Sequence, residues 1–208
     1  MWLQAQGTFV NKSSVIGLFG GTFNPPHIGH AEIAKEAMSR FGLQKVVFIP
    51  SHIPPHKDPK NTIDASHRAE MVKLLIENKP DCIFSDYEAS KRTVSYSIDT
   101  IKHYMSSFPG KKFYFITGSD AFYYIDTWKD YSDVLRLIEF IVYERENYSR
   151  EKIASKFPDL KGFKWIEGAI IRIASSDIRL RLRNGENCVE ELGEKVYEYI
   201  EKNGLYRK

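Results

Sequence analysis

The stretch VIGLFGGTFNPPHIGH, residues 15–30, decides the fold. Its first five residues, Val15–Phe19, form a short apolar run that predicts a buried strand. Beyond the stretch, apolar residues recur with a helical period as far as Phe41, and Gly42 predicts the end of that helix. A strand, a glycine-rich connection and a helix in this order begin a strand–helix–strand unit, in which the strands lie parallel.

The rest of the chain repeats this alternation. Further apolar runs predict buried strands at Val46–Ile49, Cys82–Phe84, Phe113–Thr117, Phe140–Tyr143 and Ile170–Ile173. Apolar residues on helical spacing lie between them and at the end of the chain. We therefore predict an α/β fold: a Rossmann-like, doubly wound parallel sheet with helices on both faces and a helical C-terminal part. Such sheets bind ligands at the carboxyl ends of their strands, beside the switch in strand order.

Composition indicates a single soluble domain. Of the 208 residues, 42% are hydrophobic and 27% are charged, which is ordinary for a globular protein. No linker divides the chain, so we predict one domain over residues 15–208, with residues 1–14 as an extension and residues 175–208 as the helical C-terminal part. The net charge of +3 arises from 30 basic and 27 acidic residues, which predicts a mixed surface and no nucleic-acid partner.

Secretion and membrane insertion are not expected. The N-terminus lacks the basic and apolar regions of a signal peptide, and no apolar run reaches the roughly 18 residues of a membrane helix. Cys82 and Cys188 lie far apart and outside any CxxC spacing, which disfavours a disulfide framework or a zinc site. We predict a cytoplasmic protein.

The connection after the first strand is the first candidate site. Gly20 and Gly21 would let the backbone turn sharply and approach a ligand, and the next helix start offers free N–H groups to phosphate. His27 and His30 lie three apart, so both rings can face one side and donate to an α-phosphate, where charge grows in the transition state. Two incidental histidines are the structural alternative. A zinc site is a third reading, although no further ligand stands nearby.

The second candidate site follows the predicted strand Ile170–Ile173. Ser175 or Ser176 would cap a helix whose first N–H groups could hold the β- and γ-phosphates, and Arg179 would add a charge-assisted contact one turn later. An ordinary serine-capped amphipathic helix would show the same pattern. Pairing with the first segment favours the functional reading, because phosphate transfer needs a second cradle for the leaving pyrophosphate.

Together the two segments resemble the nucleotidyltransferases with HxGH and ISSTxIR signatures. Intervening features narrow the resemblance, over residues 15–206, to the bacterial nicotinate-nucleotide adenylyltransferases. The segments that carry it are Pro50–Lys57, Arg68 with Met71, Ser95–Thr100, Phe115–Asp120, Trp128 and Tyr199–Tyr206.

The resemblance implies transfer of AMP from ATP to the phosphate of nicotinate mononucleotide, giving deamido-NAD and pyrophosphate, with Mg²⁺ bridging the ATP phosphates. It also implies that His27 and His30 stabilise the transition state. The phosphates would be contacted by Gly20, Gly21, Thr22, Phe23, Lys57, Ser175, Ser176 and Arg179. Gly118 and Asp120 would contact a nucleotide sugar, and Ser97 and Trp128 would frame the nicotinate ring. Trp128 could instead be a core aromatic, Lys57 a solvated charge and Ser97 a helix cap.

The sequence departs from the family pattern at several positions. Asn24 stands where the family commonly has Asp, Ala174 and Ser176 replace Ser and Thr, and Ser97 replaces Thr. The segment Arg145–Asn147 replaces an Arg-Pro-Gly, which puts the contribution of that loop in doubt. None of these changes removes a proposed catalytic group.

Three rival functions stay open at this point: a phosphopantetheine adenylyltransferase, an adenylate-forming ligase and a non-catalytic nucleotide sensor. The preference for nicotinate over nicotinamide mononucleotide rests on the resemblance alone. A symmetric homodimer is the default expectation for a soluble enzyme.

Overall fold

The computed structural model describes residues 14–55, 61–160, 162–167 and 173–207. These residues form one six-stranded sheet. Its strands are β1 (Val15–Gly21), β2 (Lys45–Pro50), β3 (Cys82–Phe84), β4 (Lys112–Gly118), β5 (Glu139–Tyr143) and β6 (Phe163–Ile166). The order across the sheet is β3-β2-β1-β4-β5-β6, and every neighbouring pair is parallel. The predicted α/β fold is confirmed.

Helices connect the strands and follow the last one. They are α1 (Ile28–Phe41), α2 (Ala65–Ile76), α3 (Ser97–Ser107), α4 (Ser119–Tyr123), α5 (Tyr131–Leu137), α6 (Arg150–Lys156), α7 (Ser175–Arg183), α8 (Val189–Leu192) and α9 (Glu194–Lys202). Gly42 ends α1 in the left-handed conformation, as predicted. No helix in the described part of the chain is long and apolar enough to cross a membrane.

Two hydrophobic cores lie on opposite faces of the sheet because successive side chains of a strand point to opposite sides. In β1, Ile16 and Leu18 pack into the core that contains Ile101 of α3. Phe19 packs into the other core, beside Ile33 of α1. Each fully buried side chain of this kind stabilises the fold by about 1.5–3 kcal/mol.

The sequence located five of the six strands, and the sixth lies elsewhere. β6 occupies Phe163–Ile166, an edge strand of three partly buried residues and one buried residue, with a lysine inside it. It lacks the continuous apolar run of a strand buried on both faces, which is why the sequence pattern missed it. Of the predicted strand Ile170–Ile173, residues 170–172 lie outside the described residues, and Ile173 is not in a strand.

The strand order reverses between β1 and β4, which are neighbours in the sheet. Chain order runs outward from β1 through β2 to β3, and then restarts on the other side with β4, β5 and β6. Connections on the two sides of this point leave in opposite directions and open a crevice at the carboxyl ends of the strands. The fold therefore predicts a ligand site beside Gly20 and Gly21 at the end of β1, and beside Gly118 at the end of β4.

Candidate active site

A cavity of about 630 Å³ opens at this switch point. Gly20, Gly21 and Thr22 line it from the end of β1, while Thr117 and Asp120 line it from the end of β4. Its volume suits a ligand of nucleotide size. Five of the residues assigned to ligand binding from the sequence are thus neighbours: the two glycines, Thr22, Asp120 and the adjacent Gly118.

The two glycines are not a turn, contrary to the expectation from the sequence. Both are the last residues of β1, and the left-handed conformation falls on Phe23 instead, at a φ of 50°. A Cβ on Gly20 would lie 2.9 Å from the ring of Phe115, and one on Gly21 would lie 3.1 Å from the ring of Phe23. Glycine is required here because aromatic rings pack against the strand end.

Gly118 has a different reason to be glycine. A Cβ at this position would collide with a carboxylate oxygen of Asp120 and would touch the ring of Tyr143. The missing side chain lets the Asp120 carboxylate fold back over the strand end, where it faces the cavity. The pair of residues predicted to bind a nucleotide sugar is therefore sterically linked.

His27 and His30 lie together at the entrance of α1. His27 is the N-cap residue, and the two ring centroids are 3.8 Å apart. The main-chain N–H of His27 donates to Nδ1 of His30 at 3.2 Å. Because that nitrogen accepts, a neutral His30 carries its proton on Nε2, and only that N–H is available for a ligand.

Both histidines are neutral near pH 7. Burial, with a smaller effect from the positive charge of Arg145, lowers the pKa of His27 to about 3. Burial also holds the pKa of His30 well below its usual range, followed by the effects of His27 and Arg145. Each ring then offers a single N–H donor.

The ring of His27 is fully buried, and neither of its nitrogens has a hydrogen-bond partner among the described residues. A buried polar group without a partner costs about 1–3 kcal/mol, so such groups are rare in folded proteins. A ligand that accepts a hydrogen bond from this ring would remove that cost.

Arg145 contributes a charge to the site, although its loop was in doubt from the sequence. Its main-chain N–H donates to Oγ of Ser119 at 2.7 Å, and its guanidinium donates to the carbonyl of Ile173 at 3.0 Å. Asn147 adopts a φ of 67°, a conformation that favours glycine and that Asn tolerates. A basic residue two positions after the carboxyl end of β5 was the signal available in the sequence.

The start of α7 contacts the loop that leads to His27. Oγ of Ser175 donates to the carbonyl of Pro25 at 2.9 Å, and Arg179 donates to the carbonyl of Asn24 at 2.7 Å. The two segments singled out in the sequence are therefore in direct contact, although they lie about 150 residues apart.

The prediction that Ser175 or Ser176 caps α7 was wrong. The N-cap is Ala174, and both serines are helical residues. The hydroxyl of Ser175 donates to the carbonyl of Pro25 in the neighbouring loop, and Ser175 itself is the first residue of the helix. Ser176 is exposed, and its hydroxyl contacts Asp177 at 3.2 Å.

Ser97 and Trp128 form another wall of the cavity. Ser97 is the first residue of α3, whose N-cap is Tyr96. The half-buried Trp128 packs edge-on against Phe115 and Phe140, at centroid distances of 6.0 and 6.3 Å. Trp128 thus serves both the core and the cavity. Lys57 lies outside the described residues.

Ser51 is a cavity residue that sequence reasoning assigned no role. Its Oγ is buried and has no hydrogen-bond partner among the described residues. Its main chain is held firmly: the N–H donates to the carbonyl of Gly21 at 2.9 Å, and the carbonyl accepts from Arg68 at 2.7 Å. Its place after the carboxyl end of β2 was the available signal.

The described residues contain no group of three or more His, Cys, Asp or Glu side chains that could hold a metal ion.

Comparison with known proteins agrees with this geometry. The family model described as "Cytidylyltransferase-like" matches residues 18–181. A protein of Clostridium novyi (strain NT), named "Probable nicotinate-nucleotide adenylyltransferase", is 38% identical over 92% of this chain and 98% of its own length. One of the same name from Clostridium botulinum (strain Okra / Type B1) is 35% identical over 95% of this chain and 100% of its own. The chain belongs to the nicotinate-nucleotide adenylyltransferase family.

A solved structure supports the fold of this family member. Nicotinic acid mononucleotide adenylyltransferase of Plasmodium falciparum, complexed with NaAD, superposes with a TM-score of 0.78. The match covers 93% of this chain and 97% of that chain at 22% identity. At that identity the likeness establishes the shared architecture alone.

Proposed function

We propose that this protein transfers AMP from ATP to the phosphate of nicotinate mononucleotide, releasing pyrophosphate and forming deamido-NAD for NAD biosynthesis. One observation carries the proposal: two neutral histidines lie at a helix entrance beside a nucleotide-sized cavity, and the ring nitrogens of one of them are buried without partners. Groups in that state suit a ligand rich in hydrogen-bond acceptors, such as a polyphosphate.

The reaction would be a direct in-line displacement. An oxygen of the mononucleotide phosphate attacks the α-phosphorus of ATP, the bond to the bridging oxygen breaks, and pyrophosphate leaves with the electron pair. A phosphate monoester is ionised near neutral pH, so no strong general base is needed. The N–H groups of His27 and His30 would donate to the α-phosphate oxygens, where charge grows as the bond forms. Since His27 is fully buried, the groups over its ring must move when ATP binds.

The cations would hold the leaving group. Arg145 is close enough to influence both histidines, and Arg179 lies against the loop before them. We propose that Arg179, with Ser175, Ser176 and the first N–H groups of α7, holds the β- and γ-phosphates. Mg²⁺ would accompany ATP as part of the substrate and neutralise charge on the phosphates.

The remaining roles divide the cavity between the two nucleotides. Asp120, whose carboxylate position requires a glycine at residue 118, would accept a hydrogen bond from a ribose hydroxyl, as a strand-end carboxylate often does. Gly20, Gly21, Thr22 and Phe23 would line the phosphates, and Lys57 would reach one of them. Ser97 at the start of α3 and the ring of Trp128 would frame the pyridine.

A pyrophosphate-release assay tests the function. The protein is incubated with ATP and Mg²⁺ together with nicotinate mononucleotide, nicotinamide mononucleotide or phosphopantetheine, and a reaction without Mg²⁺ is the control. We expect release with nicotinate mononucleotide, at least tenfold faster than with either other acceptor. Release only with phosphopantetheine, or ATP binding with no release at all, would reject the proposal.

Two further expectations from the sequence belong here as proposals. We propose that the protein works as a homodimer, which light scattering of the purified protein would test against its mass of 24.1 kDa per chain. A cytoplasmic location stays a prediction from the sequence.

A further inference from the structure

The C-terminal turn after α9 brings a tyrosine into the site. Tyr206 is 9% exposed and packs into the hydrophobic core on the α1 side of the sheet. Its φ of 61° lies in the left-handed region, which a bulky residue rarely adopts. Such a conformation persists only where surrounding contacts determine it, so the position of this side chain is closely specified.

The phenol of Tyr206 contacts the loop that leads to His27. Its O–H donates to Oδ1 of Asn24 at 2.8 Å, and both groups are buried. Burial raises the pKa of Tyr206, an effect that the charges of Arg179 and Arg68 oppose without reversing. The phenol is therefore protonated at any physiological pH and remains a donor.

The side-chain amide of Asn24 is oriented by a second contact. Its Nδ2 donates to the carbonyl of Asn61 at 2.8 Å, and a carbonyl can only accept, so the amide nitrogen must face that way. Oδ1 then faces Tyr206, and it also receives the N–H of Ile63 at 3.4 Å. An ionised aspartate at this position could not donate to the carbonyl of Asn61.

The main chain of Asn24 is held from the opposite direction. Arg179 of α7 donates to its carbonyl at 2.7 Å, and Ser175 holds the next residue, Pro25. The turn before His27 is thus fixed through its backbone by α7 and through its side chain by the C-terminal turn. Any shift of this turn would move the N-cap of α1, which is His27 itself.

We infer that Tyr206 is a positioning residue for the transfer reaction: acting through Asn24, it fixes the turn that places His27 at the reacting phosphate. The inference rests on the proposed function for its kinetic consequence, while its geometric content stands on the contacts alone. Misplacement of a catalytic group by even 1 Å can cost about 100-fold in rate. Loss of one hydrogen bond that leaves the ring in place should cost less.

A pair of Tyr→Phe variants tests the inference, because each removes one hydroxyl and keeps the ring. Y206F breaks the contact with Asn24. The matched control is Y199F, since the phenol of Tyr199 on α9 lies 2.9 Å from Nδ1 of His67 and has no hydrogen bond to the loop before His27 among the described residues. We expect kcat to fall about tenfold in Y206F with both KM values within twofold of wild type, and kcat to be unchanged in Y199F. Equal kcat in the two variants would overturn the inference.

A double-mutant cycle tests whether Tyr206 acts through Asn24. In the N24A background, the Y206F substitution should lower kcat by less than twofold, because its hydrogen-bond partner is already gone. A tenfold fall in both backgrounds would show that the tyrosine acts by another route and would overturn the inference.

Imidazole NMR separates this inference from the proposed function. In protein with ¹⁵N-labelled histidines, the ring resonances of His27 and His30 should shift in Y206F and stay in place in Y199F. This readout needs no turnover. An inactive wild-type protein in which Y206F shifts those resonances would reject the function and keep the positioning role. Unshifted resonances would reject the positioning role whatever the activity.

Discussion

Arg68 and His27 are both buried polar side chains, and they differ in how their hydrogen bonds are satisfied. Arg68 is almost fully buried, and its guanidinium donates to four carbonyls, those of Ile63, Thr22, Ser51 and His52. His27 is equally buried, and its ring donates to no group in the part of the chain that the structure describes.

The difference is the basis for proposing a structural role for Arg68 and a ligand-binding role for His27. Arg68 joins three loops at the mouth of the cavity and leaves none of these donors for a ligand. His27 bears the cost of an unpaired polar ring in the free protein. Burial alone would have given both residues the same interpretation, whereas the state of their hydrogen bonds predicts opposite consequences on substitution.

The largest effect on stability should come from Arg68→Met. The variant keeps most of the apolar stem and leaves four carbonyls, one of them in a buried contact and three in partly buried contacts, without this donor, so the free energy of unfolding should fall by about 4 kcal/mol. Urea unfolding followed by circular dichroism measures it. A loss below about 1 kcal/mol would show that the four contacts are not a structural clamp.

His27→Ala should give the reverse pattern. We expect kcat to fall about 10²–10³-fold because a donor to the transition state is lost. The free energy of unfolding should change by less than about 1 kcal/mol, because lost packing and relief of the unpaired nitrogens oppose each other. His30→Ala should lower kcat over the same range. Near-wild-type turnover in both variants would reject the catalytic roles.

The pH dependence of stability should report the burial of His27. Its pKa is about 3 in the folded protein and about 6.5 when unfolded, so the unfolded state binds more protons below pH 6.5. Stability from this group is present above pH 6.5 and is lost as the pH falls toward 3. Between pH 7 and 5.5 the wild type should lose about 1 kcal/mol more than His27→Ala. Parallel pH curves for the two proteins would contradict the assigned burial.

Ser51→Ala should give the smallest effect and extends the comparison to a neutral group. Its hydroxyl has no hydrogen-bond partner among the described residues, so the free energy of unfolding should be unchanged. A substrate that accepts a hydrogen bond from this hydroxyl should show a KM about fivefold higher in the variant. The matched control is Ser85→Ala, because Oγ of Ser85 accepts from Tyr104 at 2.7 Å. That variant should lose about 1 kcal/mol of stability with KM unchanged. The opposite pattern in the pair would remove Ser51 from the site.

The fold was predictable where burial is complete and periodic. β1, β2, β4 and β5 are mostly apolar runs, because helices cover both faces of the sheet. The edge strand β6 carries a lysine and shows no such run. The helices α4, α5 and α6 have five to seven residues each, too few for a helical period to emerge from the sequence.

For the site, the sequence indicated which residues leave the strand ends, and it could not show what each one contacts. The histidine pair and Arg179 of α7 could be identified from the sequence because each lies near the start of a predicted helix. Arg145, Ser51 and Tyr206 depend on approaches between distant segments. The hydrogen bond between Tyr206 and Asn24 joins residues separated by 182 positions, and no local pattern encodes such a contact.

The ring of Phe115 lies directly above the missing Cβ of Gly20, and Trp128 leans edge-on against the same ring. A single methyl group at the end of β1 would therefore tilt Phe115 and pass the displacement to the indole. The floor of the sheet therefore influences, together with its walls, the width of the opening that we propose for the pyridine of the acceptor. A change in the preferred acceptor could therefore arise at Gly20 without altering Ser97 or Trp128, the residues that we propose frame the pyridine.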